Sequence, residues 1–144
     1  MISQILPAIA VAIFNDKGQI LLQKRRDVGK WCVISGHVEF GETLEAAALR
    51  EILEETTVKA SVKRLIGIYS SPQSQTYHYP GRKVQYITSY FEAVLHSDIP
   101  PNYSNNETQQ LKFFSPGATP ADLAQIHPCW LKDALEKSSH VFVR

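Results

Sequence analysis

The stretch that decides the fold runs from Gly36 to Val58 and reads GHVEFGETLEAAALREILEETTV. It opens as a glycine-punctuated loop, His37 to Gly41, and becomes a helix expected from about Thr43 to Thr56, with Thr43 as a plausible N-cap. Glu51, Glu54 and Glu55 stand at i, i+3 and i+4, so their side chains project from one helical face. At about 100° per residue, Ala46, Leu49, Ile52 and Leu53 fall on the opposite side. One side is apolar enough to dock on a core and the other concentrates three carboxylates. Like charges at that spacing repel by a few tenths of a kcal/mol per pair. Either the face is simply solvated, or something positive sits among the carboxylates. A hard divalent cation, which prefers oxygen ligands, is the natural candidate. Arg50, four residues before Glu54, flanks the face, so an i,i+4 ion pair is expected, and Glu42 near the helix start complements the macrodipole and can reach Arg50.

Working outward, the 144 residues correspond to one ordinary domain, residues 1–144, able to bury roughly two-thirds of its unfolded surface. The formal charge is +1 and is spread throughout, which argues against a nucleic-acid polymer or an anionic membrane as partner. Cys32 and Cys129 lack the paired spacing of a zinc site; they either bridge or, as expected here, stay buried and free, and a reducing cytoplasm is the default. The apolar start, Ile5 to Phe14, is shorter than the roughly 20 residues that span a bilayer, and no secretory signal pattern surrounds it. It reads as a strand apolar on both faces. Asn15-Asp16-Lys17-Gly18 is a turn signal, and Ile20 to Gln23 a returning strand, so residues 9 to 25 are expected to form a hairpin. Lys24-Arg25-Arg26 then leaves the strand as a basic cluster, either solvated or poised to meet phosphate.

Val62 to Ser70 and Lys83 to Leu95 read as two further strands. The second places Ile87, Phe91, Ala93 and Leu95 on one face and Val84, Tyr86, Tyr90 and Glu92 on the other. Ser71 to Arg82 between them reads as a long loop carrying Tyr77, His78 and Tyr79, aromatics that either stack on a base or sugar or fold back on the sheet. Arg82 and Lys83 are charges that either meet phosphate or stay solvated. After a Pro/Asn-rich connection, Asp98 to Asn106, comes the last strand region near Glu107, and Pro128 is expected to start a final helix to about Lys137 with Trp130, Leu131, Ala134 and Leu135 buried. The five histidines form no i,i+4 pair, and His37, inside the box loop, reads as a surface residue in preference to one that approaches a substrate.

Gly36, Glu42, Arg50-Glu51-Ile52, Glu54-Glu55 and Val58 resemble the Nudix box. Thr57 stands where that box has glycine, which would cost on the order of 1 kcal/mol if its φ is positive. Trp31 to Gly36 is similar to the stretch that precedes the box in the family, with Ile34 and Ser35 in place of Pro and Gly. The resemblance covers nearly the whole chain. It implies an α/β fold, the Nudix-type α/β/α sandwich around a mixed β-sheet. It implies metal-dependent hydrolysis, with Mg²⁺ or Mn²⁺, of a pyrophosphate bond in a nucleoside diphosphate linked to another moiety.

By the same resemblance, Glu51, Glu54, Glu55 and the Ser35 carbonyl are the metal ligands and Arg50 orients Glu54. The general base is Glu51 or Glu107. The box handles only the pyrophosphate, so recognition of the rest of the substrate falls to the walls: Arg25, Tyr77, Tyr79, Arg82 and Tyr86. Two alternatives stay open, a nucleotide-binding or regulatory module on the same fold and a hydrolase of a non-nucleotide pyrophosphate. Homodimers are common among relatives, and no stretch here demonstrates one.

Overall fold

The computed structural model describes residues 1–144. In chain order the elements are β1 (Ile2–Ile13), β2 (Ile20–Arg25), β3 (Trp31–Cys32), β4 (Ile34–His37), α1 (Leu44–Thr56), β5 (Ala60–Tyr69), the single turn α2 (Pro72–Gln75), β6 (Thr76–Tyr79), β7 (Arg82–Leu95), β8 (Thr108–Phe114), α3 (Trp130–Leu135) and β9 (Phe142–Val143). The uncharged β1 lies parallel to β7 in unbroken register from Ile2↔Arg82 to Ile13↔Ala93. Parallel neighbours need a long crossover, and here that connection contains α1. The larger sheet runs β4-β1-β7-β5-β9, with β6 also on β7, and a smaller one runs β3-β2-β8.

Period-two alternation sorts the core. Ile9, Val11, Ile13, Phe91 and Ala93 pack against Ala47, Ala48 and Ile52 of α1. Ala10, Ala12 and Tyr90 turn to the other face and meet Trp130 and Ala134 of α3, together with Ile20, Leu22 and Trp31. Helices on both faces of a mixed sheet give the α/β/α sandwich expected. The second face is locked by Asp133, which is buried, accepts from the Tyr69 hydroxyl and pairs with Arg144 at 2.7 Å. Burial alone would raise the Asp133 pKa, but the hydrogen bonds from Arg144 and Tyr69 outweigh it and hold the carboxyl below its usual range.

Four local expectations are corrected. Residues 9 to 25 are not a hairpin. Asn15 does form the turn, accepting from Gln19 N, with Gly18 at φ 72°, but only the Phe14↔Ile20 bridge joins the two strands. β1 is apolar on both faces and satisfies its two edges with β4 and β7, so β2 joins the other sheet. Ser71–Arg82 is not a loop either: Pro80-Gly81, with Gly81 at φ 78°, makes a tight turn that pairs β6 with β7 from Thr76↔Gln85 to Tyr79↔Arg82. The final helix is shorter than expected, because Glu136 is already extended as the chain turns towards β9. Asp133 therefore replaces Leu135 in its buried stripe.

The fourth correction concerns α1. Ala46 and Leu53 are exposed, whereas Glu51 and Glu55 are buried beside Ala47, Ala48, Ile52 and Thr56. Two alanines let the helix sit close to the sheet, and the closeness covers one flank of the carboxylate face. Thr43 caps the helix as expected, its Oγ1 accepting from Ala46 N at 3.0 Å.

Thr57 ends α1 at φ 64°, its N–H donating to Leu53 O at 2.9 Å. A β-branched residue in the left-handed region costs about 1–2 kcal/mol. Thr57→Gly is accordingly expected to stabilise the protein by about 1 kcal/mol, read as a rise of several degrees in thermal midpoint; a lowered midpoint would refute the strain.

Candidate active site

The box loop returns from β4 to place α1 against that strand. Gly36 is the point of closest approach, since a Cβ there would come within 2.2 Å of Glu51 Oε1. Its lack of a side chain lets a buried carboxylate lie on strand backbone. The strand also presents carbonyls. His37 O leaves the sheet edge to accept from Arg50 Nη2 at 3.0 Å. Ser35 stands two residues earlier on the same edge strand, so by the alternation of backbone groups its carbonyl points the same way.

Arg50 is the hub. Its Nε and Nη2 donate to the two oxygens of Glu42 at 2.7 and 2.9 Å, and its Nη1 donates to Glu51 at 3.0 Å and Glu54 at 3.3 Å. The i,i+4 pair with Glu54 is present, but the tighter, two-pronged grip is on Glu42. The hydrogen bond from Arg50 holds Glu42 below the usual carboxylate range. Glu51 goes the other way. Burial, with the negative charges of Glu54 and Glu55, pushes it up to about 7 against the opposing pull of Arg50.

Glu55 turns into the interior, where Gln23 Nε2 and Thr108 Oγ1 both donate to its Oε2; no protein group donates to Oε1. Sequence reading missed these two partners, although Gln23, a lone amide directly after the apolar run Ile20–Leu22, was a usable signal. Glu107 arrives from the turn before β8. Asn105 shapes that turn, accepting from the N–H groups of Glu107 and Thr108 at 2.9 and 2.7 Å and donating to Glu54 O at 3.3 Å. Nothing local marked Asn105 either.

A cleft of about 920 Å³ starts at this corner and crosses the face of β1 and β7 that bears Ala8, Ala10, Tyr86, Thr88 and Tyr90, towards α3. Ser35, Glu51, Glu54, Glu107, Arg25, Tyr77, Tyr79 and Tyr86 all line it. Arg25 is paired with Asp27 at 2.8 Å. The tyrosines form a wall, with Tyr77 edge-on to Tyr86 at 5.5 Å and the Tyr86 hydroxyl between Tyr79 (3.1 Å) and His37 Nε2 (3.0 Å). His37 is exposed, as the sequence suggested, and is also part of the cleft wall. Two expected site residues lie outside the lining. Glu55 is turned inward as described, and Arg82 packs over the Tyr79 ring at 4.9 Å and donates to Gln4 at 3.0 Å, behind the wall it was expected to belong to.

The chemistry of this donor set is hard oxygen: carboxylates from α1 and the β8 turn, and a backbone carbonyl from β4. Such donors suit a hard divalent cation. The raised Glu51 pKa records the mutual repulsion and burial that a cation would relieve.

The NUDIX domain model matches residues 5–134. The chain is 37% identical over 110 residues to a Bacillus subtilis (strain 168) protein named "Putative 8-oxo-dGTP diphosphatase", covering 76% of this chain and 66% of that one. It is 47% identical over 70 residues to the ADP-ribose pyrophosphatase of Methanocaldococcus jannaschii, covering 46% and 41%. The chain thus spans less than two thirds of the length of these curated relatives. Among solved structures, an ADP-ribose pyrophosphatase from Streptococcus suis superposes with a TM-score of 0.72 at 19% identity, covering 96% of this chain and 98% of the other, a likeness of fold. With the domain model matched from the first strand through α3, and Gly36, Arg50, Glu51 and Glu54 of the box lining one cleft, the chain belongs to the NUDIX domain family.

Proposed function

We propose that residues 1–144 act as a single hydrolase domain that cleaves, with Mg²⁺ or Mn²⁺, the pyrophosphate bond of a nucleoside diphosphate linked to another moiety. The observation that carries this reading is that Glu51 and Glu54, joined by Arg50, line one cleft with Ser35, Glu107 and an aromatic wall. The relatives' names, an 8-oxo-dGTP diphosphatase and an ADP-ribose pyrophosphatase, support the same bond and a nucleotide substrate. The cation would be held by Glu51, Glu54, the Ser35 carbonyl and the free Oε1 of Glu55. When bound, it neutralises phosphate charge and lowers the pKa of water.

The chain's own groups supply the rest. Arg50 fixes Glu51 and Glu54 relative to each other and to β4. Gln23 and Thr108 orient Glu55, as partners behind ligands do. Glu51 or Glu107 takes the proton of the attacking water, both being carboxylates on the cleft wall. Arg25 faces the phosphates, and Tyr77, Tyr79 and Tyr86 offer their rings to the nucleoside. The free thiols of Cys32 and Cys129 support a reducing, cytoplasmic setting.

Glu54→Gln is expected to lower kcat by orders of magnitude in a phosphate-release assay against ADP-ribose, nucleotide sugars and oxidised nucleoside triphosphates with Mg²⁺. The exposed position of Glu54 should leave the thermal midpoint close to wild type, and an active variant would sink the assignment. Gly36→Ala tests the close approach. Its methyl group must displace Glu51, and a shift of about 1 Å costs about a hundredfold in rate. The fold should persist by circular dichroism, and wild-type kcat/KM would show that Glu51 need not sit there.

A further inference from the structure

Beyond β7 the cleft carries a second set of polar groups that the hydrolytic chemistry does not use. From β4 it crosses β1 and β7 towards β5, three strand spacings or about 14 Å, the reach of a nucleoside diphosphate. Tyr69, Tyr90 and Trp130 line this end, and set among them are Gln75, Thr88 and His127. Few polar groups in an aromatic pocket are how small-molecule sites fix orientation.

His127 has a fixed role. Its Nδ1 accepts from the backbone N–H of Cys129 at 3.0 Å, so the ring proton sits on Nε2 and no protein atom accepts it. Burial, then the charge of Arg144, lowers its pKa against the opposing charge of Asp133. The edge of the Tyr69 ring holds the imidazole, with centroids 5.2 Å apart. Gln75 is adaptable instead. Its buried amide meets Thr88 Oγ1 at 2.7 Å, and a hydroxyl both gives and accepts hydrogen bonds. The amide can therefore turn and present its free end as carbonyl or as NH₂.

We propose that this end of the cleft is a reading site for a planar heterocycle, in which His127 Nε2–H donates to an in-plane acceptor and the Gln75 amide adapts to the neighbouring group. The proposal rests on the nucleotide reading above and deepens it. A prenyl chain would leave both groups unpaired, and sites built to hydrogen-bond discriminate strongly against analogues that lack the partner. His127 is thereby a specificity-determining residue.

The test pairs deletion of the donor with deletion of the acceptor. His127→Asn keeps an oxygen able to accept from Cys129 N–H while removing the Nε2–H, and His127→Phe keeps the ring without either bond. Wild type and both variants are assayed on ADP-ribose, GDP-mannose, UDP-glucose and a prenyl diphosphate. Forms of the preferred base with one acceptor deleted or weakened follow: 1-, 3- and 7-deaza for adenine, 3- and 7-deaza and 6-thio for guanine, 2- and 4-thio for a pyrimidine. Both variants should raise KM about five- to tenfold, with kcat changed much less. One base analogue should raise the wild-type KM by a similar factor and carry no further penalty in His127→Asn. If every analogue penalty persists undiminished in His127→Asn, or that variant keeps the wild-type KM, the reading site is wrong while nucleotide hydrolysis stands. If wild type cleaves the prenyl diphosphate and no nucleotide, the nucleotide reading fails and the site falls with it.

Discussion

One guanidinium among four carboxylates is the constraint on which the site depends. Arg50 touches Glu42, Glu51 and Glu54 directly and lies 3.7 Å from Glu39. Without it, Glu51 would be a buried anion beside two others, a costly arrangement in a medium of low polarity. With it, the carboxylates are held to α1 and the same side chain is tied to the edge of β4 through His37 O. An ion pair of this kind adds little as a lone surface contact. Here it works as a fixture, setting the angle between helix and strand at the corner where the donors meet.

That corner needs a rigid frame. The parallel register of β1 with β7 supplies it, because apolar residues alternate to both faces and leave each side to be covered by one helix. A slip of one residue would send Ala10 and Tyr90 to the α1 side and expose Ile9 and Phe91 to the cleft. The same alternation makes the cleft floor: small Ala8 and Ala10 leave room above β1, and Tyr86, Thr88 and Tyr90 on β7 furnish its polar and aromatic surface. Packing and recognition are thus two faces of one sheet.

Much of the site was legible because helix geometry is local. Glu51, Glu54 and Arg50 converge at spacings that any helix would enforce, and the strained cap at Thr57 followed from one residue where glycine was due. The readings that failed were those in which an edge or a flank had several partners to choose from. β2 had a good turn behind it and still left β1, since hydrogen-bonding capacity on β1 was already taken by β4 and β7. Tyr77 and Tyr79 stand on a strand, not a loop, because Pro80-Gly81 closes a hairpin that β7 has the spare edge to accept. Arg82 looked like a phosphate contact and instead stacks on Tyr79, because the β6–β7 register sets the two opposite each other.

By itself the sequence determined an amphipathic helix carrying three carboxylates and an arginine behind a glycine loop, in the pattern that resembles the Nudix box. Tertiary structure alone decided which carboxylates face the cleft. Glu55 is drawn inward by Gln23, 32 residues away, and Thr108, 53 residues away, and the turn bearing Glu107 is tied to the backbone of Glu54 by Asn105. It also decided that His127, from a segment without helix or strand, stands with Gln75 at the far end of the cleft. The reason is physical: spacing along a helix is set by backbone geometry within a turn. Contacts between distant segments depend on sheet order and register, which form only when the whole core packs.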